Sequence, residues 1–266
     1  MSAPHASRWR DGRFEPLDAC EVRPVRVLAA DSWLLRDGRA IGLDAHRARF
    51  LGSVPVELDG ARFWDAVVAA LPRDGEWFPR LELRGVGLPG EERREFALRV
   101  RPAPALRTDL ALVTHDAPDP RHDPTIKGPD LERLTAVRTA AQARGADDAV
   151  LRDAHGSVVE TTTANLVWWR DDALVVPDPA IRQLAGVTVG ALVALATALG
   201  VEVRRERAAP AALQGVEMWA LNALHGIRVV TAWHGGPAVT AQPGRAELWR
   251  RRLEALRRPL PEAVPA

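Results

Sequence analysis

One lysine stands out among the residues that could do chemistry. Lys127 is the only lysine in 266 residues, and every other basic side chain except histidine is an arginine. A buried lysine can lose its proton and form a Schiff base as a free amine, whereas an arginine stays protonated. If arginine replaced lysine wherever a surface cation sufficed, the surviving lysine indicates covalent amine chemistry. Chance survival is the alternative.

Asparagine is depleted in the same way. The sequence contains no tyrosine, and its only asparagines are Asn165 and Asn222. Residues encoded by A/T-rich codons are scarce throughout, as expected for a GC-rich genome. Lys127, Asn165 and Asn222 all fall within the motifs described below, which favours a functional reason for keeping them.

The composition excludes several classes of protein. The 36 basic and 35 acidic residues give a net charge of +1, which provides no electrostatic attraction to nucleic acid or to an anionic membrane. Cys20 is the only cysteine, and no Cys/His cluster has zinc-ligand spacing, so neither a disulfide nor a metal site is expected. The apolar stretch at 187–199 is too short to span a bilayer. We therefore expect a cytoplasmic protein that acts on small molecules.

The first part of the chain predicts a small α/β unit. Strands are expected at 25–29, 32–35, 79–84, 96–101 and 109–114, and helices at 43–51 and 61–71. Prolines and aspartates disfavour regular structure from 115 to 130, which indicates a linker or a functional loop. Lys127 lies at the far end of this loop. A helix should follow, capped by Asp130 and ended by Gly145.

The second part predicts a single sheet with helices. Two hairpins are expected, DAVLRD with SVVE and ANLVWW with ALVV, each joined by turn residues. A helix at 188–200, a strand at 201–206 and a short helix at 210–213 should follow, then strands at 217–222 and 227–233. An amphipathic helix is expected at 245–258.

Three motifs in this part of the chain together resemble one enzyme family. KGPDLERL (127–134), ETTTANLVWW (160–169) and AGVT (185–188) are similar to the class IV aminotransferases. These pyridoxal-phosphate enzymes of fold type IV include branched-chain and D-amino-acid aminotransferases and aminodeoxychorismate lyase. The segment LDAHRARF resembles the family's H-x-x-R-L pattern, with Phe50 in place of leucine.

The resemblance implies a two-domain α/β (α+β) fold. An N-terminal α/β domain would cover 1–116, and an interdomain loop at 117–127 would end at the lysine. A C-terminal barrel-like α/β domain would cover 128–266. A homodimer is also implied, because family members build part of each site from the neighbouring subunit.

The resemblance further implies pyridoxal 5'-phosphate as the cofactor. Lys127 would hold it as a Schiff base and later shuttle a proton. Glu160 would keep the pyridine nitrogen protonated, although it could also be a solvated residue at a strand end. The helix start at Val187 and Thr188 would bind the phosphate through free N–H groups and a hydroxyl.

Other cofactor contacts follow from the same motifs. Arg49 would neutralise the phosphate, with Arg47 as the alternative if the register is shifted, or it could be one surface arginine among many. Asn222 and Ala223 fall where the family places a polar loop near the phosphate. Asn165 would orient the cofactor loop or cap a turn.

The reaction is less clearly indicated than the cofactor. Val189 and Thr161 replace an arginine and a glycine that are common in the aminotransferases, which points away from the branched-chain type. The segments ETTTANLVW and LNAL, together with the modest length, resemble aminodeoxychorismate lyase most, which would release pyruvate and 4-aminobenzoate. Ser32 would then be the general acid, with Asp31 behind it and His225 beside the Asn222 loop. An aminotransferase of the branched-chain or D-amino-acid type is the alternative. A cofactor-free binding protein that kept the fold is a more remote one.

Overall fold

The chain folds into two compact units. The computed structural model describes residues 5–17, 23–88 and 90–262, so the predicted absence of a disulfide at Cys20 concerns a residue outside the described part. Unit 1 contains the described residues up to Ala105, the short segment Ile126–Pro129 and the C-terminal segment from Arg257. Unit 2 contains Leu106–Thr125 and Asp130–Leu256.

Unit 1 is built on a five-stranded antiparallel sheet with two helices packed on one face. Its elements from the N-terminus are β1 (His5–Arg10), β2 (Arg13–Pro16), β3 (Val25–Ser32), β4 (Leu35–Arg36), β5 (Arg39–Ala40), α1 (Leu43–Leu51), α2 (Gly60–Ala70), β6 (Glu76–Trp77), β7 (Arg80–Val86) and β8 (Arg93–Val100). The strand order in the five-stranded sheet is β2-β1-β8-β7-β3.

An aromatic cluster joins the helices of unit 1 to its sheet. The ring of Phe63 in α2 stacks on Phe96 in β8 with centroids 4.6 Å apart, and Phe50 in α1 contacts both rings. Each buried aromatic side chain of this kind stabilises the fold by about 1.5–3 kcal/mol. The strand expected at 25–29 continues to Ser32 as β3, with a bulge between Val27 and Ala29 that interrupts the alternating pattern. The strand expected at 32–35 does not form as one element, because the chain leaves β3 after Ser32 and the short β4 begins only at Leu35.

Unit 2 is built on a sheet that closes on itself. Its elements are β9 (Asp109–Thr114), α3 (Leu131–Ala143), β10 (Asp148–Arg152), β11 (Val158–Thr161), β12 (Asn165–Arg170), β13 (Ala173–Pro177), α4 (Val187–Ala198), β14 (Val203–Glu206), a 3-10 turn (Pro210–Leu213), β15 (Glu217–Asn222), β16 (Gly226–His234) and α5 (Arg245–Glu254). The order is β11-β10-β9-β16-β15-β12, and β11 also pairs with β12, which closes the ring. The predicted α/β fold with a barrel-like sheet is confirmed.

Large apolar side chains fill the ring. Leu112, Leu166, Trp168 and Met218 are fully buried in its interior. Alternation along β12 places Trp169 on the opposite face, where it packs with Trp219 and with Trp249 of α5. The closed ring is therefore a packed core that fixes the positions of its strand ends.

The observed division of the chain differs from the predicted boundaries of 1–116, 117–127 and 128–266. Strand β9, which the sequence placed in the first domain, pairs in parallel with β10 and β16 of unit 2. The amphipathic helix expected to reach 258 ends at Glu254. A further strand, β17 (Arg258–Pro259), then pairs with β5 of unit 1. The predicted boundaries were misplaced because the sequence of a strand does not identify the strands with which it pairs.

The helices of the structure are modest in length. Over residues 5–17, 23–88 and 90–262, none is long and apolar enough to cross a membrane.

Two glycines of α4 provide a matched pair of substitutions. A Cβ on Gly186, the N-cap, would lie 1.9 Å from Oδ1 of Asn165, whose buried amide donates to Glu160 and to the Leu184 carbonyl, both at 3.0 Å. Gly186→Ala must break this arrangement, and we expect a loss of about 1–3 kcal/mol of stability in urea unfolding. Gly190→Ala, with open space around its Cβ, should instead stabilise the protein by about 0.5–1 kcal/mol. Equal free energies of unfolding for Gly186→Ala and Gly190→Ala would contradict the close contact between Gly186 and Asn165.

Candidate active site

A buried glutamate lies at the centre of the polar groups of unit 2. Glu160 in β11 pairs with Asn165 in β12 at the point where the ring closes. Its side chain is almost fully buried, and its carboxylate accepts three hydrogen bonds. Oε1 accepts from Nη1 of Arg121 at 2.5 Å and from the backbone N–H of Leu184 at 3.1 Å, and Oε2 accepts from Nδ2 of Asn165 at 3.0 Å.

An arginine that the sequence analysis missed balances this carboxylate. Burial raises the pKa of Glu160, and the guanidinium of Arg121 acts in the opposite direction. Burial opposes the charge of Arg121 as well, but hydrogen bonds to Asp119 and the charge of Glu160 raise its pKa above the ordinary value. Arg121 is therefore cationic and favours the carboxylate form of Glu160. Among so many arginines, no local signal distinguished this one.

Glu160 still has room for one more donor. An ionised carboxylate offers about four acceptor positions, and described residues fill three of those on Glu160. Among the residues that the structure describes, Asn165 alone donates to Oε2, so the remaining position is on that oxygen. A cationic N–H group is the donor that would gain most from such a buried carboxylate.

The N-terminus of α4 lies beside this glutamate's partners. Gly186 touches Asn165, and the helix that follows has no side-chain cap. Val187 and Thr188 are buried at its first turn. A buried helix start without a cap leaves N–H groups that require a partner, and its positive dipole end suits an anion such as a phosphate.

The predicted polar loop after β15 is held by its own asparagine. Asn222 donates to the Thr163 carbonyl at 3.2 Å, and its Oδ1 accepts from the backbone N–H of Leu224 at 3.2 Å and of His225 at 2.8 Å. The side chain thus shapes the loop around the half-buried Ala223. Both remain predicted phosphate contacts.

His225 is uncharged at neutral pH. Burial, and then the positive charge of nearby Arg228, Arg107 and Arg138, lowers its pKa to about 4. Its Nδ1 accepts a hydrogen bond from the backbone N–H of Arg107 at 3.2 Å. In this form the ring cannot act as a cationic anchor for a substrate carboxylate.

In unit 1, the lysine segment lies directly against β3. The carbonyl of Lys127 accepts a hydrogen bond from Ala30 N–H at 2.6 Å. Gly128 has φ +134°, and a Cβ there would come within 3.0 Å of the backbone of Ala29 and Ala30. The close approach therefore requires glycine at this position.

The next residue of β3 anchors a buried polar network. The carboxylate of Asp31 is fully buried and accepts from Arg49 Nε at 2.9 Å and Nη2 at 2.8 Å, and from Nδ1 of His46 at 2.8 Å. Burial opposes its charge, but His46 and Arg49 bring the pKa of Asp31 to about 2. Burial, with the charges of Arg49 and Lys127, lowers the pKa of His46, and the carboxylate of Asp31 acts in the opposite direction.

This network bears on three predicted residues. Asp31 lies beside Ser32 as predicted, and its carboxylate accepts a hydrogen bond from the backbone N–H of Ser32 at 2.6 Å. The role of Ser32 as the general acid stays a prediction. Arg49 is half-buried on Asp31, whereas Arg47 faces solvent, and the predicted contact of Arg49 with a phosphate stays a prediction.

The residues predicted to bind the cofactor or the substrate thus fall into two groups, one in each unit. Unit 2 brings together Glu160, Asn165 and the start of α4 at Val187 and Thr188, and unit 1 brings together Lys127, Arg49, Asp31 and Ser32. Within the described part of the chain, no cluster of His, Cys, Asp and Glu has a composition that could hold a metal ion.

Sequence comparison finds a family and distant relatives. Residues 28–233 match the family model of amino-transferase class IV. A probable branched-chain-amino-acid aminotransferase of Rickettsia felis is 42% identical over 67 residues, which are 25% of this chain and 23% of that protein. The matched part is thus less than a quarter of the relative's length.

Solved structures show the same fold over nearly the whole chain. A hypothetical aminotransferase from Mycobacterium tuberculosis, in a PLP-bound form, is 23% identical with a TM-score of 0.77, covering 96% of this chain and 98% of that one. The branched-chain aminotransferase of Thermoproteus uzoniensis, with norvaline, is 17% identical with a TM-score of 0.80, covering 97% and 100%. With the family model spanning most of its residues, this chain belongs to the class IV aminotransferase family.

Proposed function

We propose that this protein is a pyridoxal-phosphate-dependent aminotransferase. The observation that carries the proposal is Glu160, a buried carboxylate with one open acceptor position and a cationic partner, Arg121, that favours its ionised form. Membership of the class IV family supports the same reading. The Rickettsia relative is named an aminotransferase, which favours amino-group transfer over other reactions of this cofactor.

The residues of unit 2 fit the two ends of the cofactor. Glu160 offers its open acceptor to a protonated pyridine nitrogen, and Asn165 and Arg121 fix the carboxylate in place. The uncapped start of α4 offers N–H groups to a phosphate, with the Thr188 hydroxyl beside them. When bound, pyridoxal phosphate supplies an electron sink for charge on the substrate's α-carbon.

The chemical step requires an amine that can gain and lose a proton, and Lys127 is the only lysine available. Its backbone is tied to β3 through Ala30 and Gly128, so the side chain starts from a fixed point. The amine anchors the cofactor and, once displaced by the substrate amine, moves a proton at Nζ. Arg49 adds a positive charge for the phosphate.

The sequence motifs favour aminodeoxychorismate lyase, whereas the named relatives favour an aminotransferase. The curated relatives with matching segments are named branched-chain aminotransferases. The lyase hypothesis depends on the segments ETTTANLVW and LNAL, and on Val189 and Thr161 at positions where the aminotransferases commonly have arginine and glycine. We therefore keep the lyase as the second candidate.

A cytoplasmic homodimer is also part of the proposal. Analytical ultracentrifugation of the purified protein tests whether it is a dimer.

A first test concerns the amine. In protein incubated with pyridoxal phosphate, borohydride should fix the cofactor to Lys127, as detected by a stable absorption band and by peptide mass spectrometry. Lys127→Arg keeps the charge but has no amine to react, so we expect it to lose attachment entirely, like Lys127→Ala. Attachment that persists in either variant would assign the anchor elsewhere, and no attachment in the wild type would refute the proposed function.

A second test concerns the pyridine partner. Glu160→Gln removes the negative charge and leaves Asp119 as the remaining carboxylate partner of Arg121. A charge-assisted hydrogen bond is worth about 1.5–3 kcal/mol, so we expect affinity for pyridoxal phosphate to fall roughly ten- to hundredfold. Quenching of tryptophan fluorescence measures it. Glu206→Gln, which breaks the partly exposed ion pair with Arg170 in the same unit, is the matched control and should bind normally. Equal affinity in both variants would exclude Glu160 from the site.

A third test separates the two reactions. The purified protein should convert a branched-chain amino acid to its keto acid in the presence of a keto-acid acceptor, followed by chromatography of the products. We expect no pyruvate from aminodeoxychorismate. Pyruvate release without keto-acid formation would restore the lyase to first place.

A further inference from the structure

A second buried carboxylate lies one strand away from Glu160. Asp148 is the first residue of β10, and only 1% of its surface is exposed. It is two residues before Val150, whose side chain belongs to the core inside the ring, so Asp148 shares the inward face of β10. Neither the sequence motifs nor the proposed function uses this residue.

The carboxylate of Asp148 accepts most of its hydrogen bonds from one turn of the chain. The turn contains three consecutive threonines, Thr161–Thr163, which run from the last residue of β11 toward β12. Oδ2 accepts from the hydroxyls of Thr161 at 2.9 Å and Thr163 at 2.5 Å. Oδ1 accepts from the hydroxyl and the backbone N–H of Thr162, and from Ala149 N–H at 2.8 Å. A carboxylate with five donors is a rigid template for such a turn.

This turn carries the proposed cofactor acid at one end and its amide partner at the other. Glu160 precedes the threonines, and Asn165 follows Ala164, whose N–H donates to the Thr161 hydroxyl at 2.9 Å. The side chain of Asn165 in turn donates a hydrogen bond to Glu160 and contacts Gly186 at the start of α4. A shift of the turn would therefore displace the groups proposed for both ends of the cofactor.

A buried arginine balances the charge of Asp148. Arg228 in β16 is 3% exposed and lies on the same inward face as Val230. Burial lowers the pKa of Arg228, and the carboxylate of Asp148 acts against this. Nε and Nη2 of Arg228 have no hydrogen-bond partner among the described residues, so the arginine acts on Asp148 through its charge.

We propose that Asp148 is a positioning residue for this site: by binding the three threonines of the turn, it sets the geometry in which Glu160 and Asn165 meet. This inference rests on the proposed function for its effect on the cofactor. Its effect on the turn is independent of any cofactor. Asp148 itself touches no reacting atom in this scheme.

The test compares Asp148→Asn with Asp147→Asn. The neighbouring carboxylate of Asp147 also accepts a backbone hydrogen bond, from Ala111 at 2.8 Å, but pairs with the exposed Arg107. In cofactor-free protein, hydrogen exchange should accelerate about tenfold or more at the amides of Thr162 and Ala164 in Asp148→Asn only, since each kcal/mol lost from a local opening is about a fivefold change in rate. The affinity for pyridoxal phosphate should fall about tenfold in the same variant.

A milder pair of variants covers the case in which Asp148→Asn does not fold. Thr162→Val removes one hydroxyl donor at nearly constant volume, and Thr162→Ser keeps the hydroxyl. We expect faster exchange at Ala164 and weaker cofactor binding in Thr162→Val, with both restored in Thr162→Ser. A merely structural role would lower the unfolding midpoint without changing the absorption band of bound cofactor or its pH dependence, which a displaced Glu160 must change.

The outcomes separate this inference from the proposed function. Wild-type exchange and wild-type cofactor affinity in folded Asp148→Asn or Thr162→Val would overturn the positioning role of Asp148. Absence of pyridoxal-phosphate binding in the wild type would refute the proposed function, and the exchange rates of the cofactor-free variants would still decide whether Asp148 holds the turn.

Discussion

The pairing that closes the ring of unit 2 is the constraint on which the candidate site depends. Because β11 pairs with β12 across a short turn, Glu160 and Asn165 face one another in a fully buried position. Burying an ionised carboxylate costs several kcal/mol unless opposite charge and hydrogen bonds offset it. Arg121, Asn165 and the Leu184 N–H supply that offset.

The same principle explains the rest of the polar interior. Asp148 has five donors and the charge of Arg228, and Asp31 has Arg49 and His46. Each buried acid thus has a cation close to it and donors from its own neighbourhood. Such networks are rigid when every acceptor is satisfied, and a partly satisfied one points to a ligand. Of these carboxylates, Glu160 is the one with an open acceptor position beside an uncapped helix.

Arginine serves as the structural cation throughout this chain. Its planar guanidinium makes the two-point contacts seen between Arg49 and Asp31 and between Arg121 and Asp119. It cannot perform the proton transfers or the covalent attachment that a lysine amine can. The presence of a single lysine, Lys127, in a chain that otherwise uses arginine therefore indicates a need for amine chemistry, and this agrees with the family to which the chain belongs.

The sequence by itself determined the helix at 43–51, the helix after Asp130 and the strands of the ring, since the pattern of apolar residues that predicts each of them is local. It also identified the family through Lys127, the ETTTANL motif and the GVT helix start, because each requires particular residue types at fixed spacing. Only the tertiary structure decided that β9 belongs to unit 2 and that Arg121 and Asp148 flank Glu160. Pairing between distant strands and the burial of one arginine among many depend on contacts far apart in the chain, and these leave no local pattern.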